Sequence, residues 1–391
     1  MGAFHPRELL WEILLKFGVP PKLVRPLQSL HAHIEIKFTV NDITNVIECV
    51  IGVKQGDILG PILFTFFLAA IMLTWRAEFD RPLCLFRSNP DFVMTGRNCN
   101  ANGDDVAVAD SEYADDTAVL FTSRTDVVKL TPHMIKHFAR FGMDIHVGTD
   151  KKASKSEVLF VAAPSHVYID PETYDGQDLS IIKLDGGTFM PVVDMFRYLG
   201  SWLTRDGRDD CDVVARIETA GNAFGALRSC IFSSTTVSFR TKKIVYLALI
   251  LSILLYGCES WCLTEALLHK LRLFHRQCIR AMCRVNRYHT RIHRIHSSEL
   301  LARVGLYSID TYVSRRQLRW AGHVARMDYS RLPRKMLSAW VCNKRPRGCP
   351  QFTYGRGLRK ALHKAAIDDS NWFELAMDRA KWRLSIEQMI V

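Results

Sequence analysis

The sequence predicts an α+β chain, with its strands in the first half and an almost wholly helical second half. Three observations predict it. Apolar residues make up 48% of the 391 positions, enough to bury a sizeable core and to argue against disorder. Short alternating apolar runs occur early, whereas after Asp206 the apolar spacing becomes helical. The charge divides near the same place. Residues 1–204 hold 19 Lys and Arg against 25 Asp and Glu, and residues 205–391 hold 33 against 15. An acidic front and a basic back, +12 in all, suit a metal-using site joined to a polyanion-binding region. Two ordinary domains of unlike charge would give the same balance.

The elements follow in order. Residues 7–17 read as a helix with Leu9, Leu10, Ile13, Leu14 and Phe17 on one face, ended by Pro20-Pro21. A short helix is expected over 23–31 and alternating strands over 35–53. Residues 61–79 form a strongly apolar helix with Pro61 in its first turn. Residues 87–105, rich in Asn and Gly, read as a loop. Residues 106–122 read as two short apolar strands around a polar turn, 126–142 as a helix, 144–162 as a loop and a strand, and 164–188 as turn-rich. Beyond Asp206 the helices break near 233–238, 286–289 and 345–350. The longest apolar stretch, 244–257, is shorter than the roughly 20 residues of a membrane span and reads as a buried core helix, so no membrane partner is expected. The cysteines number 11, and no apolar leader follows Met1. The thiols are therefore expected to be reduced and the protein intracellular.

The strongest chemical signal is Tyr113-Ala114-Asp115-Asp116, set between apolar residues 106–108 and 117–121. Two adjacent carboxylates at a hairpin tip repel each other unless something neutralises them. Two magnesium ions, about 3.5–4 Å apart, would do so while activating a primer 3′-hydroxyl and stabilising departing pyrophosphate. Magnesium takes a few carboxylates plus substrate phosphates, and small Ala114 leaves room for nucleic acid. A solvated Asp-Asp turn is the plain alternative. The second signal is Gly52-Val53-Lys54-Gln55-Gly56-Asp57 leading into Gly60-Pro61-Ile62-Leu63-Phe64. A Gly-rich turn lets backbone approach a ligand, and Gln55 can hydrogen-bond a base or sugar edge. Alone, it reads as a loop-to-helix connection.

These two motifs, in this order, resemble motifs B and C of reverse transcriptases. Gly142-Met143-Asp144-Ile145-His146 with Lys155-Ser156-Glu157 resembles motif D, and Phe196-Arg197-Tyr198-Leu199-Gly200-Ser201 resembles motif E, the primer grip. Leu255-Tyr256-Gly257-Cys258-Glu259-Ser260-Trp261, Leu318-Arg319-Trp320-Ala321-Gly322-His323-Val324 and Asp378-Arg379-Ala380-Lys381-Trp382 are similar to signatures of non-LTR (LINE-type) retrotransposon polymerases. The resemblance covers nearly the whole chain. It implies a right-hand polymerase: a partial palm over 1–204, a helical thumb over 205–296 and a basic helical extension over 297–391. It implies that Asp115 and Asp116 hold metal, that Tyr113 supports the primer end, and that Gln55 and Gly56 face template and incoming nucleotide. Lys155 would lie near the triphosphate, and Arg197, Tyr198, Leu199 and Gly200 would hold the primer. Two Mg2+ ions, deoxynucleoside triphosphates, an RNA template and a DNA primer or target follow from the same resemblance, within an element ribonucleoprotein of nucleus or cytoplasm.

The family's motif A carries a third carboxylate, and Gly2-Ala3-Phe4-His5-Pro6-Arg7-Glu8-Leu9-Leu10-Trp11 resembles only its tail, with His5 at the position of the later Asp. The metal-binding Asp and the fingers would precede Met1. The chain is therefore expected to be truncated and inactive alone. The alternatives are a non-enzymatic nucleic-acid-binding remnant and a group II intron maturase relative. A maturase would bring an intron-binding domain or an HNH cysteine pair instead.

Other signals carry less. Cys258-x₃-Cys262 and His289-x₃-His293 match zinc spacing loosely, but the cysteines fall in an expected core helix, so zinc is not expected. Trp320, Trp340, Trp372 and Trp382 read as core anchors. Arg280, Arg284, Arg287, Arg291 and Arg294 recur at near-helical spacing, as a phosphate-contacting face or a solvated one would. The basic half is expected to bind RNA or DNA duplex with steep salt dependence, log K falling by about 0.9 per neutralised phosphate for each unit of log salt. A titration of residues 205–391 against duplex at rising salt checks this.

Overall fold

The computed structural model describes residues 7–32, 34–41, 43–48, 52–53, 56–78, 84–89, 103–161, 173–174, 177–178, 180–340 and 353–389. The chain is mixed helix and strand, and its strands are short and lie in small sheets. It divides into two compact units. The first unites Met1–Leu85, Ala107–Phe160 and Ile169–Val193, and the second unites Phe86–Val106, Val161–Tyr168 and Asp194–Val391.

The first unit is built on helices Arg7–Lys16, Pro21–His31, Gly60–Ala77 and Arg124–Arg140. Leu10, Trp11, Ile13 and Leu14 of the first helix pack with Leu63, Phe67, Ile71, Met72 and Trp75 of the third. Phe17 is not on that buried face. Helix ends at Lys16, Gly18 adopts a φ of 83°, and the Phe17 ring instead meets Phe66 edge-on. Gly60–Ala77 is long and apolar enough by length and composition to cross a membrane, with a mean hydropathy of 1.5. One face of it forms the centre of this core, and a core helix passes the same test. Ser123 caps the fourth helix, accepting from the Asp126 amide at 3.1 Å.

Around these helices lie the hairpin Glu35–Val40 with Ile43–Glu48 and a sheet in which Phe189–Val193 joins Ile181–Lys183 to Val158–Leu159. Every residue of Glu35–Val40 is exposed. The expected strand pair over 106–122 forms, with shorter strands than that range. Asp110–Tyr113 pairs with Asp116–Val119, while Val106 belongs to a separate strand, Asp104–Val108.

The second unit opens with the hairpin Met195–Tyr198 and Ser201–Thr204 and continues as helices. One core runs from Val213 to Val313 and another from Leu318 to Met389. Helix Ile309–Ala325 contributes to both, so the two cores share a continuous rod. The expected core helix over 244–257 spans Phe239–Leu254, with a π-helical turn at Tyr246–Ile250. Cys258 and Cys262 therefore lie beyond its end, in turn and coil. The expected loop over 87–105 is also corrected where it is described. Cys84–Ser88 is a strand that pairs with Ala339–Trp340, and Ser88 Oγ donates to the Lys335 carbonyl at 2.8 Å. The middle of that expected loop and the break near 345–350 lie outside the described residues.

A polar pair is buried in the first of the helical cores. His275 Nε2 donates to the Tyr307 carbonyl at 3.0 Å, which leaves Nδ1 to accept from the Tyr246 hydroxyl at 2.7 Å. Burial pushes the His275 pKa from 6.5 down to about 4. The unfolded chain therefore binds more protons in this window. The stabilisation is fully present above pH 6.5 and is lost as pH falls towards 4. Thermal denaturation across that range is expected to show a loss of about 3 kcal/mol from this group, and His275→Gln is expected to flatten the dependence.

Candidate functional site

In the first unit, Tyr113 pairs with Asp116 across a two-residue turn made of Ala114 and Asp115. Ala114 adopts a φ of 52°, a region that favours glycine, so the tip is held in a defined conformation at some cost. Tyr113, Asp115 and Asp116 are all exposed. Behind the tip, the carboxylates of Asp110 and Glu112 lie on the opposite face of the same strand. Arg76, from the apolar helix, gathers both: its Nε donates to Asp110 Oδ2 at 2.8 Å and its Nη2 to Glu112 at 2.9 Å. Burial first, then the Asp110 charge, raises the Glu112 pKa, with Arg76 opposing. Val119 and Phe121 pack on the helical core. An isolated two-stranded hairpin is marginal, and these contacts are what seat it.

Gly56 has a φ of 85°, with open space where a side chain would project, and the Asp57 carboxylate accepts from the Leu59 amide at the entry to the apolar helix. Gln55 lies outside the described residues, as does the segment Gly2–Pro6. The two halves of the motif-D-like stretch come together. His146 Nδ1 accepts from the Lys155 amide at 3.1 Å, and its carbonyl accepts from the Ser156 amide at 3.2 Å. This leaves the Lys155 side chain exposed. Among the described residues, no group of three or more His, Cys, Asp or Glu side chains could hold a metal ion.

In the second unit, Leu199 and Gly200 form a two-residue turn with φ of 49° and 83°. Positive φ at both positions is the type I′ pattern, which suits glycine or asparagine and strains leucine. The turn is tied down from outside. The Tyr256 hydroxyl donates to the Leu199 carbonyl at 3.0 Å, Arg216 donates to the Gly200 carbonyl, and the Arg216 guanidinium lies 4.4 Å over the Tyr256 ring. Beneath it sits Asp212, 3% exposed. Its carboxylate accepts from the Trp202 amide at 3.1 Å and the Trp261 indole at 2.9 Å, with Arg216 Nε at 3.6 Å. Gly257 has to be small here, because a Cβ on it would stand 2.9 Å from Ser201 Oγ. Arg197 is exposed, and Tyr198 stacks beside Phe196.

The remaining signatures continue the same construction. Arg316 donates to the Leu255 carbonyl at 2.9 Å, and Gln317 donates to the carbonyls of Cys258 and Trp261. Trp382 donates to the Leu318 carbonyl at 3.0 Å and fills the space in front of Gly322. The stretches around 196–202, 255–261, 316–322 and 382 are therefore one connected network. Asp212, Arg216, Arg316 and Gln317 join it without having been singled out in the sequence. An Asp and an Arg four apart on a helix just after the hairpin was the available signal.

Trp372 and Trp382 are core anchors, but Trp320 is 38% exposed beside His323, which corrects the expectation for it. The side chain of Trp340 lies outside the description. The five arginines do not share one helical face. Arg280 lies in helix Glu265–Met282, Arg284 follows its end with a φ of 58°, Arg287 and Arg291 lie on the separate helix Arg287–Ile292, and Arg294 follows that. Arg280, Arg284 and Arg287 nonetheless line a common groove, described below. Cys258 is buried, and burial pushes its thiol up to about 12.

No family model matches the chain. The chain is 25% identical over 277 residues to a putative uncharacterized transposon-derived protein of Caenorhabditis elegans, a match covering 69% of this chain and 92% of that protein. This supports a transposable-element origin. Two substitutions test the network in opposite directions. Asp212→Ala strips a partner from two buried donors and an arginine and is expected to lower stability by about 3 kcal/mol. Leu199→Asn relieves the left-handed turn and is expected to raise it by about 1 kcal/mol. Urea denaturation of the full chain measures both.

Proposed function

We propose that this chain is the part of an RNA-directed DNA polymerase, of non-LTR retrotransposon type, that runs from motif B through the thumb and a basic extension. The observation that carries the reading is the exposed Asp115–Asp116 pair on the turn of a two-residue hairpin, with Tyr113 opposite Asp116 and Arg76 neutralising the carboxylates behind. It is supported by the order of the motifs and by the transposon-derived relative.

On this reading Asp115 and Asp116 hold one side of a metal site. Two oxygen ligands beside open solvent fit magnesium, which fills the rest of its coordination sphere with water and substrate phosphates. When bound, the ions activate a primer 3′-hydroxyl and stabilise the leaving pyrophosphate. Tyr113, exposed at the strand end, supports the primer terminus, and Gly56 admits template and nucleotide with no side chain in the way. Lys155, on a loop pinned by His146, supplies a proton to the leaving group. The Leu199–Gly200 turn, fixed by Tyr256 and Arg216, presents backbone to the primer.

A second reading, a nucleic-acid-binding product without polymerase activity, is favoured by one observation: Asp115 and Asp116 have no third metal-ligating side chain grouped with them among the described residues. The same measurement separates the two. Mn2+ titration of the full chain, in the presence of a primed RNA template and a deoxynucleoside triphosphate, is expected to show saturable binding that weakens on the order of tenfold or more in D115N/D116N. Binding that is identical in the variant sinks the metal assignment. Primer extension by the chain alone is expected to stay at the level of Asp115→Ala, since two carboxylates on one turn grip from one side only. Extension above background by the chain that disappears in Asp115→Ala shows that another residue completes the site, and extension above background that persists in Asp115→Ala overturns the assignment of this hairpin as catalytic.

A further inference from the structure

Within the second unit, helix Asp210–Leu227 and helix Glu265–Met282 flank a groove of about 640 Å³. Gly221 and Gly225, four residues apart and so on one helix face, line one wall. A Cβ on Gly225 would meet nothing within 4 Å, so open space stands directly before the backbone. Arg228, at the end of the same helix, lines the groove together with Arg280, Arg284 and Arg287 from the other side. Among the described residues no acidic side chain lines it. Among the described residues none of these four arginines forms an ion pair with a carboxylate. Phe224 and Phe274 lie in its floor, and Phe224 is braced by stacking on Phe232 at 4.3 Å.

Like charges crowded around a concave surface repel one another, and the repulsion falls when an anion enters. Arg280 shows the crowding. Burial and then the charges of Arg287 and Arg276 lower its pKa below the usual arginine value. A solvated basic face would spread its guanidiniums outward. Here they line one concavity, with open backbone at Gly225 on one wall. The ligand is therefore anionic along its length and thin enough to pass over a glycine edge.

We infer that this groove seats the phosphodiester backbone of a single nucleic-acid strand, gripped through its phosphates by Arg228, Arg280, Arg284 and Arg287, with the sugar edge passing over Gly225 beside the Phe274 ring that covers Gly221. The choice of a phosphodiester over other anions rests on the function proposed above, but the groove does not depend on the metal site. Recognition through phosphate carries no base sequence, so RNA and DNA strands of any composition enter alike.

The test is fluorescence anisotropy with the full chain and labelled oligo(U) or oligo(dT) of roughly 12 nucleotides, with inorganic triphosphate as competitor. Gly225→Leu fills the groove without changing charge. It has room and raises helix propensity, and circular dichroism checks its fold. It is expected to weaken both strands on the order of tenfold while leaving the salt slope unchanged. R228Q/R284Q is expected to reduce the slope of log K against log salt by about 1.4, two contacts at about 0.7 each. The exposed control R240Q/R319Q, with the same charge loss elsewhere, is expected to leave affinity and slope near those of the unaltered chain. Gly225→Leu binding as tightly as the unaltered chain, or the control losing as much as R228Q/R284Q, overturns the inference in favour of diffuse charge. Complete displacement by triphosphate at equal concentration also overturns it, in favour of a small-anion pocket. Because these titrations need no divalent metal, their failure and that of the Asp115–Asp116 assignment are read separately.

Discussion

Burying the carboxylate of Asp212 obliges the chain to bring donors to one point from separate places in the sequence. An isolated buried charge is strongly unfavourable. Here the donors are the Trp202 amide from the hairpin, the Trp261 indole from the turn after the core helix, and Arg216 one turn along the carboxylate's own helix. Satisfying them sets the hairpin against the helices. Once that is set, Tyr256 and Arg216 stand where the Leu199–Gly200 turn needs its carbonyls bound. The segment after the core helix offers the carbonyls of Cys258 and Trp261 to Gln317, which passes the constraint to the rod shared by the two helical cores.

The first unit handles its charge in the opposite way. Asp110 and Glu112 are partly buried and share one arginine, whereas Asp115 and Asp116, one turn further on, stand in solvent. Alternation along the strand makes this possible, since residues two apart share a face. The guanidinium that seats the hairpin sits behind it, and the tip stays accessible. Paired and solvent-exposed carboxylates are thus set apart within seven residues of chain.

Much of this was legible in the sequence, for identifiable reasons. Long apolar periodicities placed the helices of both halves, including Gly60–Ala77 and the helical run after Asp206, because a buried stripe repeats many times over such lengths. The Asp115–Asp116 turn was legible because its residues are local to one another. The bounds of the polar strand Asp110–Tyr113 and its tie to Arg76 were not, since the arginine comes from a distant helix and the strand's alternation is charged. Trp320 misled because a lone tryptophan carries no information on which helix face is covered. The five arginines showed helical spacing but not the helix end that divides them. Asp212 was missed for the same reason as Asp110: a buried charge is explained only by partners that sequence does not place. The alignment of the motifs along the chain gave no hint that four of them meet through hydrogen bonds.

The pairing of Cys84–Ser88 with Ala339–Trp340 has a consequence in time. Ser88 and Ser338, whose hydroxyl and carbonyl approach within 3.4 Å, are 250 positions apart. At ribosomal speeds of about 5–20 residues per second, the earlier strand waits roughly 12–50 s before its partner is made. Throughout that interval it is a nascent strand with nothing of its own sheet to pair with on that side. Most of the helices between them are made within that interval and can form from local contacts before the sheet closes. One edge of Cys84–Ser88 therefore stays open until the chain has been made as far as Trp340, and the second unit closes this sheet only late in its synthesis.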